Sequence, residues 1–228
     1  MIVYSNSDSY GVVSDGKVYS DFIAERLDAT LINSGRSGAC NQRILRTTVR
    51  DLIDLKKQHE DVLVLVGLAP MHRYEYWAKI NKYPEDNDGH FVSFQIGSLT
   101  DPNNFYDNDI KNFAKEWFLQ SDYEGIVTNL YYELTLLVNF LESNNFKYLI
   151  WSGPRELYNE IDTQSPFLKN FYQETKEKII DFNKFSFCRY CLDQGFVPID
   201  HEKYDNHGHH GESAHESFAD YLLTNYIK

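Results

Sequence analysis

The 228-residue chain is poor in cysteine and has no long apolar run. Its three cysteines, Cys40, Cys188 and Cys191, are too few for a disulfide framework. Its apolar runs are far shorter than the ~20 residues that a membrane-spanning helix requires. The residues after Met1 do not show the basic, apolar and small-residue pattern of a secretory signal. These absences predict a cytoplasmic protein with no membrane partner.

Positive charge is also scarce. The chain has 22 Lys and Arg against 34 Asp and Glu, which gives a formal net charge of −12. Because nucleic-acid binding depends on basic residues opposite phosphates, this balance argues against a nucleic-acid partner. One basic stripe shares a helix face by its spacing and is interpreted as a solvated surface: Arg43, Arg46, Arg50 and Lys57. No phosphate-binding glycine motif is present, so no nucleotide cofactor is predicted.

Apolar runs and helical periods alternate along the chain. Short, partly β-branched runs predict strands at Ile2–Tyr4, Ala29–Ile32, Val62–Val66, Tyr148–Trp151 and, near the end, Phe196–Asp200. Helical periods predict helices at Ser20–Leu27, Asn41–Gln58, Tyr123–Leu141 and Glu212–Tyr226. Strands that alternate with helices form parallel sheets through right-handed crossovers. We therefore predict one α/β domain over residues 1–228, a three-layer α/β/α sandwich with a mainly parallel central sheet.

Residues 67–105 interrupt this alternation. Aromatic, Asn, Asp, Gly and Pro residues follow one another there without a regular period. A long segment of this kind inside a compact domain is typical of a functional insertion, so we predict a lid that overhangs the site. Arg73 and Glu75 within it are predicted to form an ion pair that orders the lid, and a substrate carboxylate is the alternative partner for Arg73.

Groups for acyl-transfer chemistry stand at both ends of the chain. Ser9 follows the first predicted strand, and Asp205 precedes a segment rich in histidine. A serine becomes a nucleophile when a histidine removes its proton and an acid orients that histidine. Two other interpretations stay open: the histidine cluster binds zinc or another divalent ion, or Ser9 only forms a turn.

Four segments together resemble the SGNH (GDSL-like) hydrolase superfamily over nearly the full length of the chain. Ser7-Asp8-Ser9 with Gly11 resembles the Gly-Asp-Ser block, and residues 33–41 resemble the glycine block after the second strand. Residues 64–69 occupy the place of the Gly-x-Asn block, and the histidine-rich loop resembles the acid-histidine block. The resemblance implies a flavodoxin-like fold and an ester hydrolase. It also implies residue roles: Ser9 as nucleophile, His209 as base with His207 as the alternative, and Asp205 as the acid.

The chain departs from the superfamily pattern at two positions. Ser7 replaces the leading glycine, and Leu68 and Ala69 follow Gly67 where the pattern has the asparagine that binds the oxyanion. The predicted oxyanion residues are Gly38, Asn41 and Gly67, with Arg73 as a further candidate.

We predict a serine-dependent hydrolase of carboxylic esters, acting on a small-molecule or carbohydrate ester, with no cofactor and no metal. Two alternatives remain. One is a non-catalytic or weakly catalytic binding protein on the same fold, and the other is a metalloprotein that uses the histidine cluster.

Overall fold

The main sheet forms where the sequence has its continuous apolar runs. The computed structural model describes residues 1–71, 73–78, 90–95, 108–153, 166–180, 184–200 and 208–227. The strands in these ranges are β1 (Ile2–Asn6), β2 (Thr30–Asn33), β3 (Val62–Leu68), β4 (Arg73–Trp77), β5 (Phe91–Gln95) and β6 (Lys147–Ser152). Four of them form a parallel sheet in the order β2-β1-β3-β6, while β4 and β5 form a separate antiparallel pair.

The helices follow the periodic segments. In the described ranges they are α1 (Tyr19–Arg26), α2 (Asn41–Lys56), α3 (Asn108–Gln120), α4 (Tyr123–Ser143), α5 (Pro166–Thr175), α6 (Phe187–Asp193) and α7 (Glu212–Asn225). Local caps set some starting points, since the Ser186 hydroxyl accepts the Arg189 N–H at 3.0 Å. Within the described ranges, no helix has both the length and the apolarity needed to cross a bilayer.

Each face of the parallel sheet packs against its own helical layer. Successive strand residues point to opposite faces, so one strand contributes to both cores. On one face Tyr4, Val64 and Val66 pack with α2 and α4, and on the other Val3 and Leu65 pack with α1, α6 and α7. The predicted three-layer α/β/α sandwich is therefore confirmed.

Part of the segment 67–105 forms regular structure. It contains the end of β3 and the β4–β5 hairpin, while residues 72, 79–89 and 96–107 lie outside the described residues. Successive side chains of β4 contact different helices. Tyr74 stacks on Trp117 of α3 at 4.1 Å between ring centroids, and Glu75 accepts both an Nε–H and an Nη2–H bond from Arg46 of α2. The hairpin is thus anchored on two sides.

The strand predicted at Phe196–Asp200 is wrong. This segment ends in a turn, and its described backbone bonds are not those of a strand in a sheet: the Phe196 N–H donates to the Cys191 carbonyl at 2.9 Å, and the Ile199 N–H donates to the His209 carbonyl at 2.7 Å. Two other segments meet the edge of β6. The Ile180 N–H donates to the Ile150 carbonyl, and Ser186 forms an isolated bridge with Ser152.

Candidate active site

Ser9 stands at a position where parallel sheets commonly bind ligands. It begins a one-turn 3-10 helix, Ser9–Gly11, that directly follows β1 and the residues Ser7 and Asp8. Because β2 and β3 lie on opposite sides of β1, the chain reverses its direction of travel across the sheet at this strand. The crevice at the carboxyl ends of strands at such a reversal is the usual ligand site. Ser9 is enclosed there, with 4% of its surface exposed.

The turn that carries Ser9 is held by Asp8. The Asp8 carboxylate accepts the Tyr10 N–H at 3.1 Å, and the Asp8 carbonyl accepts the Gly11 N–H at 3.2 Å. Arg73 donates from Nη1 to the other oxygen of the Asp8 carboxylate at 2.8 Å. Burial raises the pKa of Asp8 to about 6, while the Arg73 guanidinium and the Tyr10 N–H act in the opposite direction. Asp8 is therefore mainly ionised at neutral pH although it is fully buried.

The space for the Ser7 side chain comes from glycines around it. A Cβ atom at Gly11 would overlap Ser7 Oγ and the Tyr19 hydroxyl. A Cβ atom at Gly67 would lie 3.2 Å from Ser7 Cβ and 3.2 Å from the Tyr19 hydroxyl. Gly67 lies inside β3, where it pairs with Trp151 of β6. Its described contacts therefore give it a packing role beneath the Ser9 turn.

His209 is fixed by Asp200. The Asp200 carboxylate accepts the His209 backbone N–H and also the Nδ1–H of the imidazole, each at 2.6 Å. Burial alone would raise the pKa of Asp200, but these bonds outweigh it and hold the pKa of this carboxyl below its usual value. With Nδ1 protonated toward the carboxylate, Nε2 is the basic nitrogen of the imidazole. Asp200 and His209 thus form an imidazole–carboxylate pair of the kind that serves in general-base catalysis.

The Asp200–His209 pair lies against the turn that carries Ser9. The rings of Tyr10 and His209 are in contact, with centroids 5.3 Å apart. His209 is also close enough to Asp8 to contribute to lowering the pKa of that carboxyl. Residues from the first strand end and from the loop before α7, about 200 positions apart in the chain, therefore meet at one place.

Asp200 was not identified from the sequence as a site residue. The predicted acid Asp205 and the alternative base His207 lie outside the described residues. The available signal for Asp200 was its position directly after the apolar run that begins at Phe196. That run was assigned to a strand, so the acid at its end was interpreted as part of the sheet.

Of the three predicted oxyanion residues, Gly38 is exposed, whereas Asn41 and Gly67 are buried. Gly38 is an exposed glycine with a φ of 77° in the turn that the Ala39 N–H closes onto the Arg36 carbonyl. A glycine is favoured there because this φ is costly for other residues. Asn41 is buried, and its side-chain amide donates to the Ala69 carbonyl at 2.9 Å and accepts the Ala69 N–H at 2.8 Å. Asn41 therefore links the start of α2 to the end of β3.

Arg73 and Glu75 do not pair with each other, contrary to the sequence prediction. Although both lie on β4, Arg73 binds Asp8 and Glu75 binds Arg46, so each finds its partner on another element. Arg73 Nη1 also donates to the Ala39 carbonyl at 3.2 Å. This brings Arg73 into contact with both the Ser9 turn and the loop that contains Gly38.

Two further histidines of the C-terminal segment are buried in the core. Burial lowers the pKa of His210 to about 4 and that of His215 to about 3, so both rings are neutral at pH 7. His215 stacks on Phe187 with centroids 4.7 Å apart. Within the described residues, no group of three or more His, Cys, Asp or Glu side chains is arranged to hold a metal ion.

Comparison with solved structures finds proteins of similar fold at low sequence identity. An acetylxylan esterase from Geobacillus stearothermophilus, solved as a catalytic mutant, is 12% identical with a TM-score of 0.49, covering 98% of this chain and 92% of that one. A member of the lipolytic G-D-S-L family from Veillonella parvula is 11% identical with a TM-score of 0.48, covering 100% and 98%. A lipase/acylhydrolase from Enterococcus faecalis is 11% identical with a TM-score of 0.48, covering 99% and 95%.

The remaining comparisons concern sequence. No curated protein matches the chain. A family model described as a family of unknown function, DUF6071, matches residues 5–164, a range that contains Ser9, Gly38 and Arg73. This chain belongs to that family, DUF6071.

Proposed function

We propose that the protein is a serine-dependent hydrolase of carboxylic esters. The observation that carries the proposal is the Asp200–His209 pair, which lies against the residue that follows Ser9 at the carboxyl end of β1. Ser9 is the nucleophile, His209 is the general base, and Asp200 orients His209. In this assignment Asp200 takes the role that the sequence had given to Asp205.

The proposed reaction has two halves. In the first, His209 Nε2 accepts the proton of Ser9 Oγ while Oγ bonds to the acyl carbon and the carbonyl oxygen becomes an oxyanion. Asp200 stabilises the imidazolium formed by this transfer. The tetrahedral intermediate then expels the alcohol, which takes the proton from His209, and leaves an acyl-enzyme on Ser9. In the second half, water loses a proton to His209 Nε2 and attacks the acyl carbon. The second tetrahedral intermediate then breaks its bond to Ser9 Oγ, which takes the proton back from His209, and the acid is released.

The oxyanion is assigned to backbone donors. The N–H groups of Ser9 and Gly38 are the proposed pair, because a positive φ in an exposed turn orients the Gly38 peptide differently from its neighbours. Loss of a single oxyanion donor costs about 2.7–4 kcal/mol in enzymes of this chemistry, so the absent asparagine predicts a modest rate unless another group compensates.

The test is covalent labelling with a fluorophosphonate probe, followed by peptide mapping. We expect the wild-type protein to be labelled at Ser9 and Ser9→Ala to remain unlabelled. Ser213→Ala removes an exposed hydroxyl of α7 and is the matched control, expected to label like wild type. Equal labelling of wild type and Ser9→Ala would overturn the proposal. Activity that is abolished by a chelator and restored by zinc would favour the metalloprotein alternative.

The substrate class is proposed more broadly. The superfamily resemblance points to acyl or acetyl esters of small molecules or carbohydrates. Hydrolysis rates for p-nitrophenyl acetate, butyrate and octanoate, together with an acetylated oligosaccharide, would measure the preferred acyl length and the preferred alcohol.

A further inference from the structure

The Ser9 turn and the Gly38 loop come from separate parts of the chain. Ser9 follows β1, whereas Gly38 lies between β2 and α2. In the proposed reaction the oxyanion must contact N–H groups of both residues at once. Efficient stabilisation requires donors fixed at about 2.7–3.1 Å from the oxyanion, so the distance between the two segments has to be maintained.

Among the described residues, the backbone bonds between these two segments involve the residues that precede Ser9 and Gly38. The Ser34 N–H donates to the Ser5 carbonyl and the Arg36 N–H donates to the Ser7 carbonyl, at 2.8 and 3.0 Å. These bonds continue the pairing of β2 with β1. Gly38 lies beyond the last of them, in the turn that begins at Arg36.

Beyond that point, the guanidinium of Arg73 joins the two segments. Arg73 Nη1 donates to the Asp8 carboxylate at 2.8 Å and to the Ala39 carbonyl at 3.2 Å. Asp8 is the residue before Ser9, and Ala39 is the residue after Gly38. The Arg73 side chain is 14% exposed and the Asp8 side chain is fully buried, so solvent screens this ion pair little.

We infer that Arg73 is a positioning residue that holds the Ser9 turn at a fixed distance from the Gly38 loop. The inference rests on the proposed function, but it assigns Arg73 no contact with substrate. Asp8 transmits the effect because its carboxylate also accepts the Tyr10 N–H and so caps the turn that carries Ser9. Lysine is expected to replace this arrangement only in part. Both bonds come from Nη1 of a rigid, planar guanidinium, whereas a lysine ammonium is more strongly hydrated and sits on a flexible stem.

The experiment compares Arg73→Ala with Arg46→Ala. Arg46 is a suitable control because it also forms an ion pair with a buried carboxylate. Its partner is Glu75, which lies two residues after Arg73 on β4. We expect Arg73→Ala to lower kcat and the rate of fluorophosphonate labelling by about 100-fold, since a misplacement of about 1 Å is enough for such a loss. KM is expected to change little. Arg46→Ala is expected to retain wild-type kcat.

Chemical rescue separates positioning from general stability. Guanidinium ion at non-denaturing concentrations is expected to restore part of the kcat of Arg73→Ala and to leave Arg46→Ala and wild type unchanged. Arg73→Lys is expected to fall between Arg73→Ala and wild type. Where Arg73→Ala is recovered unfolded, Arg73→Lys provides the kcat measurement, with folding checked by circular dichroism.

A double-mutant cycle tests the route through Asp8. Asp8→Asn retains an oxygen that can accept the Tyr10 N–H but removes the charge of the carboxylate. Arg73→Lys is therefore expected to lower kcat much less in the Asp8→Asn background than in wild type. Wild-type kcat in Arg73→Ala and Arg73→Lys, with wild type labelled at Ser9, would overturn this inference alone. An unlabelled wild type would overturn the proposed function and the inference with it.

Discussion

Glu133 of α4 offers a direct test of the electrostatics beside the hairpin. Its Oε2 atom is buried and has no hydrogen-bond partner among the described residues. Burial and, to a smaller extent, the charge of Glu75 together raise the pKa of Glu133 from 4.5 to about 7. Replacing Glu133 by Gln keeps the shape of the side chain and removes the charge.

The expected magnitude follows from the pKa difference between folded and unfolded chain. The shift from 4.5 to about 7 is about 2.5 pH units, and at about 1.36 kcal/mol per unit it corresponds to at most about 3.4 kcal/mol. Glu133 is partly exposed, so solvent screening reduces this value, and we expect about 1–2 kcal/mol.

The sign follows from proton binding. Between pH 4.5 and about 7 the folded protein retains a proton on Glu133 that the unfolded chain has released. The contribution of Glu133 to the free energy of unfolding is therefore largest below pH 4.5, decreases as the pH rises through this interval, and is constant above it. Glu133→Gln lacks this dependence. Its stability relative to wild type should thus increase by about 1–2 kcal/mol between pH 5 and pH 8.

Urea unfolding at pH 5, 6, 7 and 8 measures the effect. The quantity to compare is the difference in unfolding free energy between variant and wild type, because other titrating groups such as Asp8 are common to both. Glu116→Gln, at an exposed position of α3, is the control and should give a flat difference. A flat difference for Glu133→Gln as well would refute the reasoning, since it would mean that Glu133 titrates alike in folded and unfolded protein.

Two further predictions concern the site. Asp200→Asn is expected to lower kcat by about 10³–10⁴-fold with little change in KM, because the imidazole of His209 loses its orienting carboxylate. Steady-state ester hydrolysis measures this change. The control is Asp193→Asn, at the exposed end of α6, which should leave kcat unchanged. Asn41→Ala is expected to lower the free energy of unfolding in urea by at least about 2 kcal/mol, because the N–H and carbonyl of Ala69 lose their partners. A decrease below about 0.5 kcal/mol would contradict the structural role of the Asn41 amide.

Two strands of the main sheet, β1 and β3, were predictable because they are buried on both faces. Their sequences are continuous runs of apolar or small residues except at Asn6, the last residue of β1, whose amide is hydrogen-bonded to α2. The run from Phe196 to Asp200 looks similar, but a sequence pattern does not show whether a strand edge is available. In the structure Ile180 and Ser186 meet the edge of β6 instead.

The β4–β5 hairpin was missed for a related reason. Arg73 and Glu75 alternate with two tyrosines in β4, which is the period of a strand, but charged residues at buried positions hide that pattern. Their burial depends on Asp8 and Arg46, which lie far away in the sequence. Local periodicity does not reveal a charge that is compensated by a distant partner.

Two residues of the candidate site were selected from their order in the sequence. Ser9 was selected because a predicted strand precedes it, and His209 because a predicted helix follows it. In the structure the ring of Tyr10, the residue after Ser9, contacts the ring of His209. Asp200 was not predictable in this way, because its contact with His209 spans nine positions and depends on how the intervening chain is folded. Asn41 was selected for its chemistry, but its amide is engaged by Ala69.

The central position of β1 gives the two halves of the site unequal resistance to local opening. β1 is paired with β2 on one side and with β3 on the other, so exposing the amides near Ser9 requires the sheet itself to separate. His209 is attached to the body of the protein through its contacts with Asp200, Ile199 and Tyr10. Amide hydrogen exchange should therefore be slow along β1 and faster at His209. Gentle heating should abolish the proposed esterase activity while the sheet is still intact.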